Sequence, residues 1–134
     1  MTNATEAANR ELVLAFFDKW NAGDVEGILA DFSMDAVYRN MPTPAMHGAG
    51  EIREFLEGFF AAFTISIETT AIAVDGDMVL TERDDILRGD AGRCDLPIMG
   101  VMRIVDGKIA EWRDYFDSRQ AEGFTVEDAA AAVN

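Results

Sequence analysis

A change of hydrophobic period near the middle of the chain constrains its fold more than any other feature. Up to about Ala62 the apolar residues recur every three to four positions, and beyond it they alternate. From about Thr5 to Asn21, Leu12, Val13, Phe16, Phe17 and Trp20 share one helical face, and Gly23 stops the helix. Asp24 is placed to cap a second short helix carrying Ile28, Leu29 and Phe32. Ala36 to Asn40 reads as a short strand. It runs into the turn-rich Met41-Pro42-Thr43-Pro44, and that loop continues through His47 and Gly48. A third helix from about Gly50 to Ala62 places Ile52, Phe55, Leu56, Phe59 and Phe63 at helical spacing. Then come strands. Ile65 to Val74 and Met78 to Arg88 flank Asp75-Gly76-Asp77, and Cys94 to Val105 and Lys108 to Asp117 flank Asp106-Gly107, both hairpin signals. A last helix is expected from Thr125, which would cap it.

Helices followed by a meander of long strands predict an α+β fold. The expected form is a strongly curved, mostly antiparallel mixed sheet packed against three to four helices. Helices on one face of such a sheet leave a cone-shaped hollow between the layers, a natural place for a small molecule. At 134 residues the chain (1–134) reads as a single domain, large enough to enclose a pocket.

The formal net charge of -14 removes two classes of partner. So acidic a surface repels nucleic-acid phosphate and disfavours anionic membrane. One cysteine, Cys94, excludes an internal disulfide, and with one histidine, His47, it cannot make a zinc site of the usual kind. No apolar run approaches the ~20 residues of a membrane span, and the polar N-terminus lacks signal-peptide regions, so the expected location is cytoplasmic.

Side chains alternate across a strand. Toward the end of the chain Ala110, Trp112, Asp114 and Phe116 share one face, which makes Asp114 the acid on the apolar side. A carboxylate there needs a partner or gives up its charge. In Thr81-Glu82-Arg83-Asp84-Asp85-Ile86-Leu87, Arg83 and Asp85 share a face with Leu87. Parity alone does not say which face is inward, because Leu80 and Ile86 are apolar as well. A guanidinium forked between two carboxylates would nonetheless be a stable buried arrangement. Tyr38 and Asn40 share a face of the first strand, and their neutral groups can hold a water; Asn40 serves equally well as a turn former.

Taken together and in order, Tyr38-Arg39-Asn40-Met41-Pro42, Thr81-Glu82-Arg83-Asp84-Asp85, Met99-Gly100-Val101 and Trp112-Arg113-Asp114-Tyr115-Phe116-Asp117 resemble the limonene-1,2-epoxide hydrolases. Each block is weak alone; the combination, spaced from the first helix to about Arg119, is specific. The resemblance implies the cone-shaped fold shared with nuclear transport factor 2, SnoaL-like proteins and ketosteroid isomerases. It implies an epoxide hydrolase domain acting on a small apolar epoxide and water, without a cofactor or metal, as a homodimer. It also implies roles: Asp85 as general acid, Asp114 as general base, Arg83 as the bridge, and Tyr38 and Asn40 as the holders of the water.

An apolar substrate needs apolar walls. Leu87, Leu96, Ile98 and Phe116 are the expected ones, with plain core packing as the alternative for each. His47 is expected to be an exposed loop residue and Cys94 a packed one. Asp117 is expected to end its strand and pair with Arg113 or Arg119, and Met34, Met41, Met46, Met99 and Met102 to fill gaps. Two other functions stay open on the same fold: a ketosteroid-isomerase-like proton-transfer enzyme, and a non-catalytic small-molecule binding module.

Overall fold

The computed structural model describes residues 4–126. Helix α1 (Ala4–Ala22) is followed by α2 (Val25–Asp31), β1 (Phe32–Met41) and the two-residue β2 (Met46–His47). Helix α3 (Gly48–Ala62) leads into β3 (Thr64–Asp75), β4 (Met78–Gly89), β5 (Gly92–Val105) and β6 (Lys108–Tyr115), and a 3-10 turn (Ser118–Ala121) follows. The strands form one mixed sheet in the order β2-β1-β6-β5-β4-β3. All neighbours are antiparallel except β1 and β6, which run parallel. The α+β expectation, with a mostly antiparallel sheet backed by helices, holds. Among the described residues no helix is long and apolar enough to cross a membrane.

Local chemistry explains most boundaries. Gly23, at φ 67, ends α1 in the left-handed region. The Asp24 carboxylate accepts from the Gly27 N–H at 2.9 Å and starts α2. Helix α3 begins two residues earlier than the periodicity indicated. Gly48 supplies φ 82, and the Glu51 carboxylate accepts from the His47 N–H at 2.9 Å. Asp106 and Gly107, at φ 51 and 73, form the two-residue turn whose twist suits a hairpin between β5 and β6.

Two expectations need correcting. Phe32 belongs to the start of β1, not to the second helix. Its backbone is extended, and its buried ring meets the edge of Phe16 with centroids 5.4 Å apart. The strand therefore starts four residues earlier than Ala36. A register shift between Phe32 and Val37 interrupts its pairing with β6, so Ser33-Met34-Asp35 shows no alternation to read. At the other end of the chain β6 stops at Tyr115, two residues short of Asp117. The helix expected from Thr125 falls almost wholly outside the described residues.

Helix α1 lies mainly on β3 and α3 on β1, so both cover one face of the sheet. Further register shifts in β3 and β5 bend the sheet around them. Phe16, Phe17 and Trp20 of α1 meet Tyr38 and Trp112 of the sheet in a cluster of edge-on and stacked rings. The core fills the narrow end between layers. The wide end, toward the loop after β1 and the segment after β6, stays open as a cavity.

Candidate active site

Strand alternation turns Thr81, Arg83, Asp85 and Leu87 of β4 toward the helices, and all four are buried. The inward face that parity left open is therefore the one carrying Arg83 and Asp85. On β6 the same rule buries Trp112 and Asp114. Arg83 is 1% exposed, Asp85 5% and Asp114 2%, so the charges lie away from bulk water.

Every N–H of the Arg83 guanidinium is used. Nε donates to Asp85 Oδ1 at 3.1 Å, and Nη2 donates to Asp85 Oδ2 at 2.9 Å and Asp114 Oδ2 at 2.8 Å. Nη1 donates to Asp114 Oδ1 at 2.9 Å and to the Thr81 hydroxyl at 3.3 Å. A guanidinium has five such hydrogens, so none is stranded in the interior. Phe17 supports it from α1, with Cζ 4.8 Å from the ring centroid.

The contact between β4 and β6 has to pass over β5, which lies between them. Gly100 stands there, in register with Thr81 on one side and Asp114 on the other. Because it has no side chain, Arg83 and Asp114 meet directly above the β5 backbone.

The parallel pairing of β1 with β6 aligns Tyr38 with Trp112 and Asn40 with Asp114. The Tyr38 and Trp112 rings stack 4.2 Å apart at 9°, and the Tyr38 hydroxyl donates to Asn40 Oδ1 at 3.3 Å. Burial, and then the charge of Asp114, push the Tyr38 hydroxyl well above its ordinary value, so it stays neutral. Burial also raises the Asp85 carboxyl, against the opposing pull of Arg83; the charge of Asp114 adds to the rise. For Arg83, burial disfavours the cation, but the two carboxylates outweigh it and hold the guanidinium charged.

Asp85, Asp114, Tyr38 and Asn40 open onto a cavity of about 290 Å³. Its remaining walls are largely apolar and include all four expected residues, Leu87, Leu96, Ile98 and Phe116. The sequence reading missed the walls given by Trp20, Phe55, Phe59, Ile65 and Ile67, whose apolar patterning is indistinguishable from core. It also missed Thr81, which shares the parity of Arg83, and the Trp112 indole, which donates to Asp114 Oδ1 at 2.7 Å. Gly100 carried a usable signal, a glycine inside a strand.

The remaining expectations divide. His47 is exposed as expected and does not line the cavity, but it belongs to strand β2, paired with Val37, and not to the loop expected there. Cys94 is packed, its thiol donating to the Gln120 carbonyl at 3.0 Å and pushed up by burial. Asp117 pairs with Arg119 at 3.5 Å. Met102 fills the core and Met41 and Met46 line the cavity, but Met34 and Met99 are 89% and 49% exposed. Met34 falls in the irregular start of β1, and Met99 points to the outer face because its neighbour Gly100 points inward. Among the described residues no group of three or more His, Cys, Asp or Glu side chains is placed to hold a metal ion.

The SnoaL-like domain model matches residues 13–112, most of the chain. The chain belongs to the SnoaL-like family. Within that family it is a homologue of epoxide hydrolases. It is 31% identical over 105 residues to epoxide hydrolase EphG of Mycobacterium tuberculosis, covering 78% of this chain and 70% of that protein. An M. tuberculosis epoxide hydrolase described as LEH-like superposes with a TM-score of 0.81 at 27% identity, over 96% of this chain and 97% of the other. The epoxide hydrolase/cyclase-like enzyme SalBIII, with a role in pyran ring formation in the polyether salinomycin, has a TM-score of 0.79 at 22% identity over 86% and 95% of the two chains. That likeness shows the shared fold.

Proposed function

We propose that this SnoaL-like protein is an epoxide hydrolase that adds water to a small apolar epoxide, terpene-like or cyclic, to give a vicinal diol in one step. The observation that supports this most strongly is the shared guanidinium. Arg83 holds two buried carboxylates at the edge of an apolar cavity, and burial favours the protonated form of one of them. The family relationship to epoxide hydrolases supports the same reading.

An epoxide oxygen leaves poorly until it receives a proton, and water attacks poorly until it loses one. Protonated Asp85 gives its proton to the ring oxygen. Asp114, ionised and paired with Arg83, takes a proton from the attacking water. The water donates its second hydrogen to the Tyr38 oxygen, whose own hydrogen already goes to Asn40, and accepts from the Asn40 amide. The C–O bond to water forms as the ring C–O bond breaks, and the products are the diol, an ionised Asp85 and a protonated Asp114. Transfer of one proton from Asp114 back to Asp85 through the cavity water restores the resting state. The group Arg83–Asp85–Asp114 is neutral before and after each turnover, so no net charge is created in the interior.

The cavity faces its reacting groups from one side and surrounds the rest with hydrocarbon, which selects an apolar body around the epoxide. We extend the reading to a homodimer through the outer face of the sheet. Leu80, Met99 and Tyr115 are exposed there on adjacent strands.

The test is a panel of terpene, cyclic meso and aromatic oxides, with diol and its stereochemistry as the readout and an unsaturated ketone as the isomerase control. In labelled water, label should enter the diol in the first turnover. Label appearing in a protein carboxylate would mean a covalent ester instead, and turnover of the ketone alone would replace the reading with an isomerase. The solution mass at micromolar concentration tests the dimer.

A further inference from the structure

The side chain of Trp112 touches both halves of the water site, and neither contact is needed to form β6. We infer that Trp112 is a positioning residue for the hydrolysis proposed above: its indole N–H fixes which oxygen of Asp114 acts as the base, and its ring face fixes the Tyr38 hydroxyl beside it. The inference rests on that reading and adds a residue to it.

Asp114 has two oxygens, and the structure treats them differently. Oδ1 accepts from Arg83 Nη1 at 2.9 Å and from Trp112 Nε1 at 2.7 Å, so both of its in-plane lone pairs are occupied. Oδ2 accepts from Arg83 Nη2 at 2.8 Å and has one lone pair left. A water can therefore give its proton to Oδ2 and not to Oδ1. Without the indole, the carboxylate would offer two half-occupied oxygens. A water could then give its proton to either of them. Trp112 closes one of the two and leaves a single site for the proton.

The second contact works through the ring. Tyr38 lies flat on Trp112 at 4.2 Å and 9°, the tightest and most parallel of the ring pairs in this cluster. Parallel pairing of β1 and β6 places Tyr38 beside Trp112 and Asn40 beside Asp114, so the stacked rings and the water site are successive rungs of one ladder. The plane of the indole thus determines where the Tyr38 oxygen sits relative to Asp114 Oδ2. Trp112 is itself held from the helix side by Phe16 and Trp20, edge-on at 5.3 and 5.6 Å. Its buried N–H, in an interior with little water to accept it, has the Asp114 carboxylate as its partner.

The test separates the N–H from the ring. Replacing Trp112 with benzothienylalanine exchanges N–H for sulfur at nearly the same shape, and Trp112→Phe removes the N–H along with part of the ring. The isosteric protein should fold, with a lowered melting temperature from the lost buried hydrogen bond and an unchanged substrate KM. Its kcat should fall about ten- to a hundredfold, what one hydrogen bond to a charged group contributes. A purely structural indole would leave kcat and KM both unmoved in the isostere, and that result overturns the inference. The failure is distinguishable from failure of the reaction itself: Asp114→Asn inactive with the isostere fully active sinks only the role of Trp112, whereas an active Asp114→Asn sinks the reading beneath it.

Discussion

Gly100 lies directly beneath the contact between Arg83 and Asp114, and a methyl group at its Cα would overlap Asp114 Oδ1 and come within 2.8 Å of Arg83 Nη1. Both atoms are buried, and neither can retreat into open solvent. Gly100→Ala should therefore separate the two strands' charges. Overpacking of this kind costs about 1–3 kcal/mol, and the base loses its anchoring donors. The expected result is a folded, less stable protein with diol formation reduced at least a hundredfold, read by urea unfolding alongside initial rates. Near wild-type activity would show that the bridge tolerates rearrangement.

The two carboxylates carry separate proton transfers. Asp85→Asn and Asp114→Asn keep shape but accept from Arg83 through one oxygen only, with the NH2 facing a donor, so each should fold with lowered stability. Each should lower kcat by about 10²–10⁴-fold, the usual value of one general acid or base. Because the transfers belong to one displacement, the double variant should be little worse than the weaker single one. Steady-state rates of the three variants on one epoxide decide it.

Arg83→Met removes the cation and leaves Asp85 and Asp114 beside each other in a buried site. Breaking a buried ion pair from one side costs about 3–5 kcal/mol. The loss should be largest near neutral pH and shrink in acid, where the orphaned carboxylates take up protons. Arg83→Lys should rescue little of it, since an ammonium has three donors where five partners wait. Chemical unfolding of both variants between mildly acidic and neutral pH measures this.

How far the residues themselves disclosed this site depends on where each interaction lies. The switch from helical to alternating period and the two glycine turns disclosed β3 to β6, because pairing in hairpins is local in sequence. The five residues in the resemblance lie together, with Tyr38 and Asn40 brought to Asp114 by a parallel pairing that no hairpin signal announces. The irregular start of β1 was illegible, since a register shift erases alternation and leaves Phe32 looking like one more helix position. Gly100 and Trp112 were visible as letters but not as partners. A close approach between β4 and β6 depends on the strand order, and alternation along one strand says nothing about what crosses over it.

The pH dependence follows from the raised Asp85 carboxyl. Burial lifts it above the ordinary carboxylate range despite Arg83. Between the ordinary value and the raised one, the unfolded chain has released this proton and the folded chain still holds it. The folded state then binds more protons than the unfolded one, so stability falls as pH rises through that window and levels off above it. Asp85→Asn lacks the proton, so its stability relative to wild type should rise with pH across the same window and be flat on either side. Activity should show the matching sign: rate is lost on the alkaline side as Asp85 gives up the proton it must deliver, and the apparent midpoint belongs to the Arg83–Asp85–Asp114 group as a unit. Urea unfolding of wild type and Asp85→Asn at a series of pH values, paired with a kcat profile, tests both halves. A stability difference that does not change with pH would mean that Asp85 is ionised throughout and that the ring oxygen takes its proton from elsewhere.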